Sequence, residues 1–124
     1  MSIPTTCYTF LNGISDLSGI EKSPYVRNHD AGFPSVVFTF AGDTFPSSTT
    51  ENVGPRLVRW TASVLSRTIE EAEIKGEAIV SAAQDTQSQC GPNRVVGVTR
   101  EYEPAYDSAR QGIYIHTTEM EFFV

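Results

Sequence analysis

The sequence predicts a single α+β domain over 1–124, a mainly antiparallel four-stranded sheet packed by one main helix at about 68–84 and by a short N-terminal helix. Three observations lead there. A chain of 124 residues can bury one core without disulfide or metal staples. The stretch RLVRWTASVLSRTIEEAEIKGEAIVSAA, from Arg56 to Ala83, changes its hydrophobic period in the middle. Three further segments, rich in β-branched and aromatic residues, are separated by runs of turn formers.

From Arg56 to Arg67 the residues alternate. Val58, Trp60, Ala62 and Val64 fall on one side, and Leu57, Arg59, Thr61 and Ser63 on the other, as in a half-buried strand. After Thr68 the apolar positions Ile69, Ala72, Gly76, Ile79, Val80 and Ala83 have helical spacing. Thr68 and Glu71 have the Thr-x-x-Glu form of a capping box, which satisfies donors of the first helical turn. Small residues on the apolar stripe let this helix sit close to the sheet, with Trp60 the expected bulky partner. Glu70, Glu73, Lys75 and Glu77 form its solvated side.

Pro4 to Leu17 carries apolar residues at Cys7, Phe10, Leu11, Ile14 and Leu17, a short amphipathic helix weakened by the turn-favouring pair Asn12-Gly13. Ser18 to Pro34 reads as an irregular connection. Ser35 to Gly42, SVVFTFAG, is a strand with Val36, Phe38 and Phe40 on one face. Asp43 to Pro55, DTFPSSTTENVGP, has the composition of a long mobile loop between strands. At roughly 3.3 Å per residue the next strand extends about 40 Å, against a domain diameter of roughly 35 Å. It is expected to cross the domain or overhang it. Outward-facing Leu57 and Leu65 call either for a second covering element or for a face shared with another subunit.

Gln84 to Asn93 is polar and ends the helix. Arg94 to Tyr102 is the third strand, with Gly97 a possible bulge. Glu103 to Gln111 is a loop, and Gly112 to Val124 is the fourth strand. Within it Ile113 and Ile115 are out of phase with Met120, Phe122 and Val124, which a bulge near Thr117-Thr118 or two differently buried faces would explain.

With fifteen acidic and nine basic residues the formal charge is −6. No basic block stands out, so the balance is wrong for gripping nucleic acid. Cys7 and Cys90 read as two reduced cysteines of an intracellular protein rather than a disulfide framework. No apolar run approaches the ~18 residues that would cross a membrane, and MSIPTTCYTF lacks the layout of a secretory signal.

Reactive candidates are few. His29 and Asp30 are adjacent but no nucleophile has a motif to join them. His116 reads as an exposed or interface position in a β-ladder. No Cys-x-x-Cys or His-x-x-x-His spacing marks a zinc site, and no glycine-rich phosphate cradle is present. Glu70 and Glu71 are explained by the helix macrodipole. The sequence therefore implies no catalytic residues, no cofactor and no metal.

The segments FPSVVFTFAG, RLVRWTASVLSRTIEEAEIKGEAIVSA and RVVGVTREYEPAYDSARQGIYIHTTEMEFFV, from about Phe33 to Val124, resemble in layout the tail terminator or tail completion proteins of long-tailed bacteriophages. In that family a Pro-preceded strand leads to a long strand, an acidic-start helix and two closing strands, the last often carrying a His. The chain departs from that layout at its start, where the first helix is short. The resemblance implies a hexameric ring at the head-proximal end of the virion tail, assembled in the host cytoplasm. Such a ring ends tube polymerisation and contacts the major tail tube protein and a neck or head-completion protein. Double-stranded DNA passes through it without sequence-specific binding.

Ring contacts are then expected at Asp43, Phe45, Glu51, Leu57, Leu65, Phe122 and Phe123. Channel-facing carboxylates are expected among Glu70, Glu73, Glu77, Glu119 and Glu121. Other connector, neck or tail-tube rings suit the same features. A small ligand-binding domain or enzyme is a further alternative, with Trp60, Tyr102, Tyr106 and Tyr114 lining a pocket between helix and sheet.

Overall fold

A computed structural model describes residues 3–25, 32–44, 57–84, 94–104 and 112–123. The long alternating strand is the axis of the fold. It spans Leu57–Ser66 (β3) and is flanked by Ser35–Thr44 (β2) and Ile113–Phe123 (β5). Lys22–Pro24 (β1) and Arg94–Glu103 (β4) form the edges, giving the order β1-β2-β3-β5-β4. All pairings are antiparallel except β1 with β2, which run parallel. The sheet therefore has five strands and is mixed, where the sequence predicts four antiparallel ones. The additional strand is only three residues long and lies in a stretch with no alternation to reveal it. Its pairing is bracketed by two backbone hydrogen bonds, Val36 N–H to Glu21 O and Tyr25 N–H to Phe38 O, both 2.9 Å.

Every residue of β3 pairs with β5, from Leu57 opposite Phe123 to Ser66 opposite Tyr114. The strand crosses the sheet and is paired to both its ends, so it does not overhang. Its register with β5 has no interruption, and no bulge occurs at Thr117-Thr118. The bulges sit instead in β2, between Phe40 and Gly42, and in β4, between Val95 and Gly97. Ile115 and Met120 are out of phase because they belong to opposite faces of one regular strand.

Two helices, Ile3–Asn12 (α1) and Ile69–Gln84 (α2), contribute to one core with the sheet face that bears Val36, Phe38, Val58, Trp60, Ala62, Val64, Met120 and Phe122. α1 stops where Asn12-Gly13 breaks the pattern. A 3-10 turn at Ser15–Leu17 then carries the chain round and buries Leu17. Trp60 is 0% exposed; it meets Phe10 of α1 edge to face at 5.8 Å and shares the core cluster with Ile79 and Ala83 of α2. Cys7 lies in the same core; Cys90, His29, Asp30 and Tyr106 lie outside the described residues.

α2 begins with half of the expected capping box: the Glu71 N–H donates to Thr68 Oγ1 at 3.3 Å, while the Thr68 N–H donates to Ser66 Oγ at 3.3 Å. Its buried positions are Ala72, Gly76, Ile79 and Ala83. Ile69, expected on this stripe, is 59% exposed; as the first residue of the helix it lines an open cavity beside Tyr102 and Tyr114 instead of the closed core. Lys75 Nζ donates to Asp16 O at 2.8 Å and ties α2 to the 3-10 turn. Lys22 Nζ donates to the Leu17 and Ile20 carbonyls at 3.0 and 2.9 Å, and burial pulls its pKa below the ordinary lysine value.

Candidate functional site

Strand alternation assigns the side chains of β5 to two environments. Phe122, Met120, Thr118 and His116 point to the helices, while Glu121, Glu119, Thr117 and Ile115 point to the other face. His116, predicted to be exposed or at an interface, is 1% exposed under α2. A Cβ on Gly76 would stand 2.2 Å from its Cγ. Gly76 is therefore required by the imidazole, since no larger residue leaves room for the ring. Neither ring nitrogen has a hydrogen-bond partner, and Thr118 Oγ1 is likewise buried without one.

His116 Nε2 faces Glu77 Oε1 at 3.6 Å. Glu73 and Glu77, four residues apart on α2 and so on one side of it, both pair with Arg100 of β4. The distances are 2.6 Å from Arg100 Nε to Glu73 Oε1 and 3.2 Å from Nη2 to Glu77 Oε1. The hydrogen bond with Glu73, with the charges of Glu73 and Glu77, raises the Arg100 pKa above its usual value and keeps the guanidinium charged. Arg100 stands opposite His116 in the β4–β5 register, so four side chains from three elements converge. Ligand atoms of Glu73, Glu77 and His116 all lie within 4.8 Å of one another.

Beside this cluster a cavity of about 210 Å³ is lined by Ala72, Tyr102, Tyr114, Arg100 and His116 among others, with the Tyr102 and Tyr114 rings 4.6 Å apart and tilted by 32°. Known ligand pockets start at roughly 300 Å³, and Trp60 does not line this one. A wider groove of about 480 Å³ runs between the start of α2 and the residues Ser18, Ile20 and Pro34.

The second surface is the sheet face turned away from the helices. No described helix covers it. Its centre is a row of hydroxyls, with Thr39 and Thr61 bonded at 2.6 Å and Ser63 and Thr117 at 2.8 Å. Half-buried Val37, Leu65 and Ile115 lie at one end. At the other end Glu121, 8% exposed, is held by Arg94 at 2.6 Å and Arg59 at 3.6 Å, which pins β3, β5 and β4 in register.

The residues expected at ring contacts and in a channel are thus dispersed. Leu65 is on the open sheet face, and Leu57 is paired with Phe123 in the β3–β5 register. Asp43, expected to open the loop, lies within β2 opposite Val58, and the strand runs on to Thr44. Phe45, Glu51 and the rest of the expected loop lie outside the described residues. Phe122 is 6% exposed and belongs to the subunit's own core. Glu70, Glu73 and Glu77 are on the helix side of the molecule, whereas Glu119 and Glu121 are on the opposite sheet face.

The sequence reading missed His116, Gly76 and Arg100 as a unit. Counting back by twos from Phe122 and Met120 puts His116 inside, and a glycine on the helix stripe is the complementary signal. Arg100 had none, since only the sheet order brings β4 beside β5 and under α2.

No family model matches the chain, and no curated protein matches it. Among solved structures the fold is similar to a chain of the "Virion of native gene transfer agent (GTA) particle", with a TM-score of 0.60 and 12% identity. The match covers 98% of this chain and 94% of that one. At that identity the likeness is one of fold.

Proposed function

We propose that this chain is a structural subunit of a phage-like virion. It assembles as a ring, of six copies, at the head-proximal end of a tail tube, ends tube polymerisation and joins tail to neck while DNA passes. The observation that carries the virion reading is the end-to-end fold correspondence with a virion chain, over 98% of one and 94% of the other. The finer assignment to the tail terminus rests on the sequence layout.

The open sheet face supports assembly. It offers Val37, Leu65 and Ile115 with a hydroxyl row, a surface of mixed polarity suited to a protein contact. Ring interfaces are heterologous and need two different patches per subunit. We assign one patch to this face, including Leu57, Leu65 and Phe123, and the other to the segment beginning at Asp43 and containing Phe45 and Glu51. Phe122 is left out because the subunit's own core uses it. With the sheet face engaged, we assign the channel to the helix side, where Glu70, Glu73 and Glu77 stand; Glu73 and Glu77 are partly neutralised by Arg100, and the remaining negative charge would repel DNA phosphate and let the duplex slide. The partners are then a tail tube protein and a neck protein.

Native mass spectrometry over a range of concentrations, with and without preassembled tail tubes, tests this reading. A hexamer, free or formed only on tube ends, is the expected result. A chain that stays monomeric at every concentration and ignores tubes overturns it.

A further inference from the structure

A buried imidazole with no hydrogen-bond partner and two carboxylates converging on it from one helix form a ligand set. His116 is fixed: its ring is clamped between Gly76 and the sheet, and Nε2 points toward Glu77. Glu73 and Glu77 are on the surface of α2 and have the rotamer freedom to close on Nε2. A satisfied core histidine donates or accepts at one nitrogen at least; this one does neither, and an unmet buried polar group is costly. The cluster already holds a cation, because the Arg100 guanidinium bridges the two carboxylates.

We propose that Glu73, Glu77 and His116 form a binding site for a divalent transition metal of the zinc class, with Arg100 as the resting counter-ion that the metal displaces. One imidazole nitrogen with two carboxylate oxygens suits Zn²⁺, which takes such ligands at about 2.0–2.2 Å. Tetrahedral placement brings ligand atoms to roughly 3.4 Å from one another, so the present 4.8 Å spread contracts by movement of the two glutamate side chains alone. A zinc ion held by three protein ligands keeps a fourth position for water or another ligand. Calcium and magnesium prefer all-oxygen sets, so the histidine selects against them. Bound metal would cross-link α2 to β5 and would take Glu73 and Glu77 out of the carboxylates proposed for a channel, while its binding can be measured whether or not the chain forms a ring.

The test uses the full chain stripped with a chelator and titrated with Zn²⁺, read by calorimetry and by long-range ¹H–¹⁵N spectra of the histidine rings. One Zn²⁺ per chain is expected, with the His116 Nε2 resonance moving on binding. Glu77→Gln is expected to weaken binding at least tenfold. Arg100→Gln is expected to tighten it severalfold, because the competing cation is gone. That last response separates a ligand cluster from a salt bridge. His116→Asn removes the nitrogen ligand; should that chain not fold, the two surface variants decide. Zinc that moves only the His29 resonance, or affinity unchanged in Glu77→Gln, overturns the proposal. So does the absence of binding at millimolar Zn²⁺.

Discussion

At the scale of single residues, the contact between Gly76 and His116 carries the clearest prediction. Alanine is the better helix former by about 1 kcal/mol, yet its methyl would sit 2.2 Å from the imidazole. Overpacking of this kind costs about 1–3 kcal/mol, and the ring, buried on every side, has nowhere to move. Gly76→Ala is therefore expected to lower the urea midpoint, by a net loss of about 2 kcal/mol. In a His116→Ala background the same change is expected to become neutral or stabilising, and a double-mutant cycle measures the difference. Equal cost in both backgrounds would show that the ring is not what Gly76 makes room for. Thr118 gives a second case. Its buried hydroxyl has no partner, so Thr118→Val, which keeps the shape, is expected to stabilise by about 1 kcal/mol, seen as a raised urea midpoint with unchanged slope.

At the scale of elements, the two helices are anchored differently. α2 is long, capped and held by small residues close to the sheet, with Arg100 and Lys75 tying its surface to β4 and to the 3-10 turn. α1 has only ten residues, too few to be stable alone in water, and depends on what it buries. Phe10 against Trp60 is the centre of that contact. Phe10→Ala is expected to cost about 3–5 kcal/mol and to shift Trp60 fluorescence to the red as water reaches the indole. If the emission stays blue while stability falls, the cavity has closed without release of α1. The capping residue belongs to the same scale: Thr68→Ala removes the bond to the Glu71 N–H and is expected to cost about 1 kcal/mol, a loss that serine at the same position should largely restore.

At the scale of the whole molecule, two helices on one face of a five-stranded sheet leave the other face without a described cover. Exposed charge substitutions there should be tolerated by the fold and refused by an assembly. Leu65→Glu with Ile115→Glu places two like charges opposite each other on adjacent strands. It is expected to cost the subunit about 1 kcal/mol while abolishing ring formation in native mass spectra. Intact rings in that variant would move the subunit contact away from this face. Large loss of the isolated subunit's stability would instead show that the face is covered within the chain.

Local pattern alone determined much of this protein: the period change at Thr68 located β3 and α2, alternation sorted Val58, Trp60, Ala62 and Val64 inward, and Asn12-Gly13 marked the end of α1. These readings succeed because strand and helix periods are imposed by backbone geometry on neighbouring residues. Tertiary structure decided the rest. β1 is too short to carry a pattern and exists because β2 offers it an edge. His116 was legible only through the phase of a strand whose two ends carry apolar residues on opposite faces. Arg100, Glu73 and His116 meet only because β5 lies between β3 and β4 with α2 across them. Strand order is a property of contacts between residues far apart in the chain, and no local period encodes it.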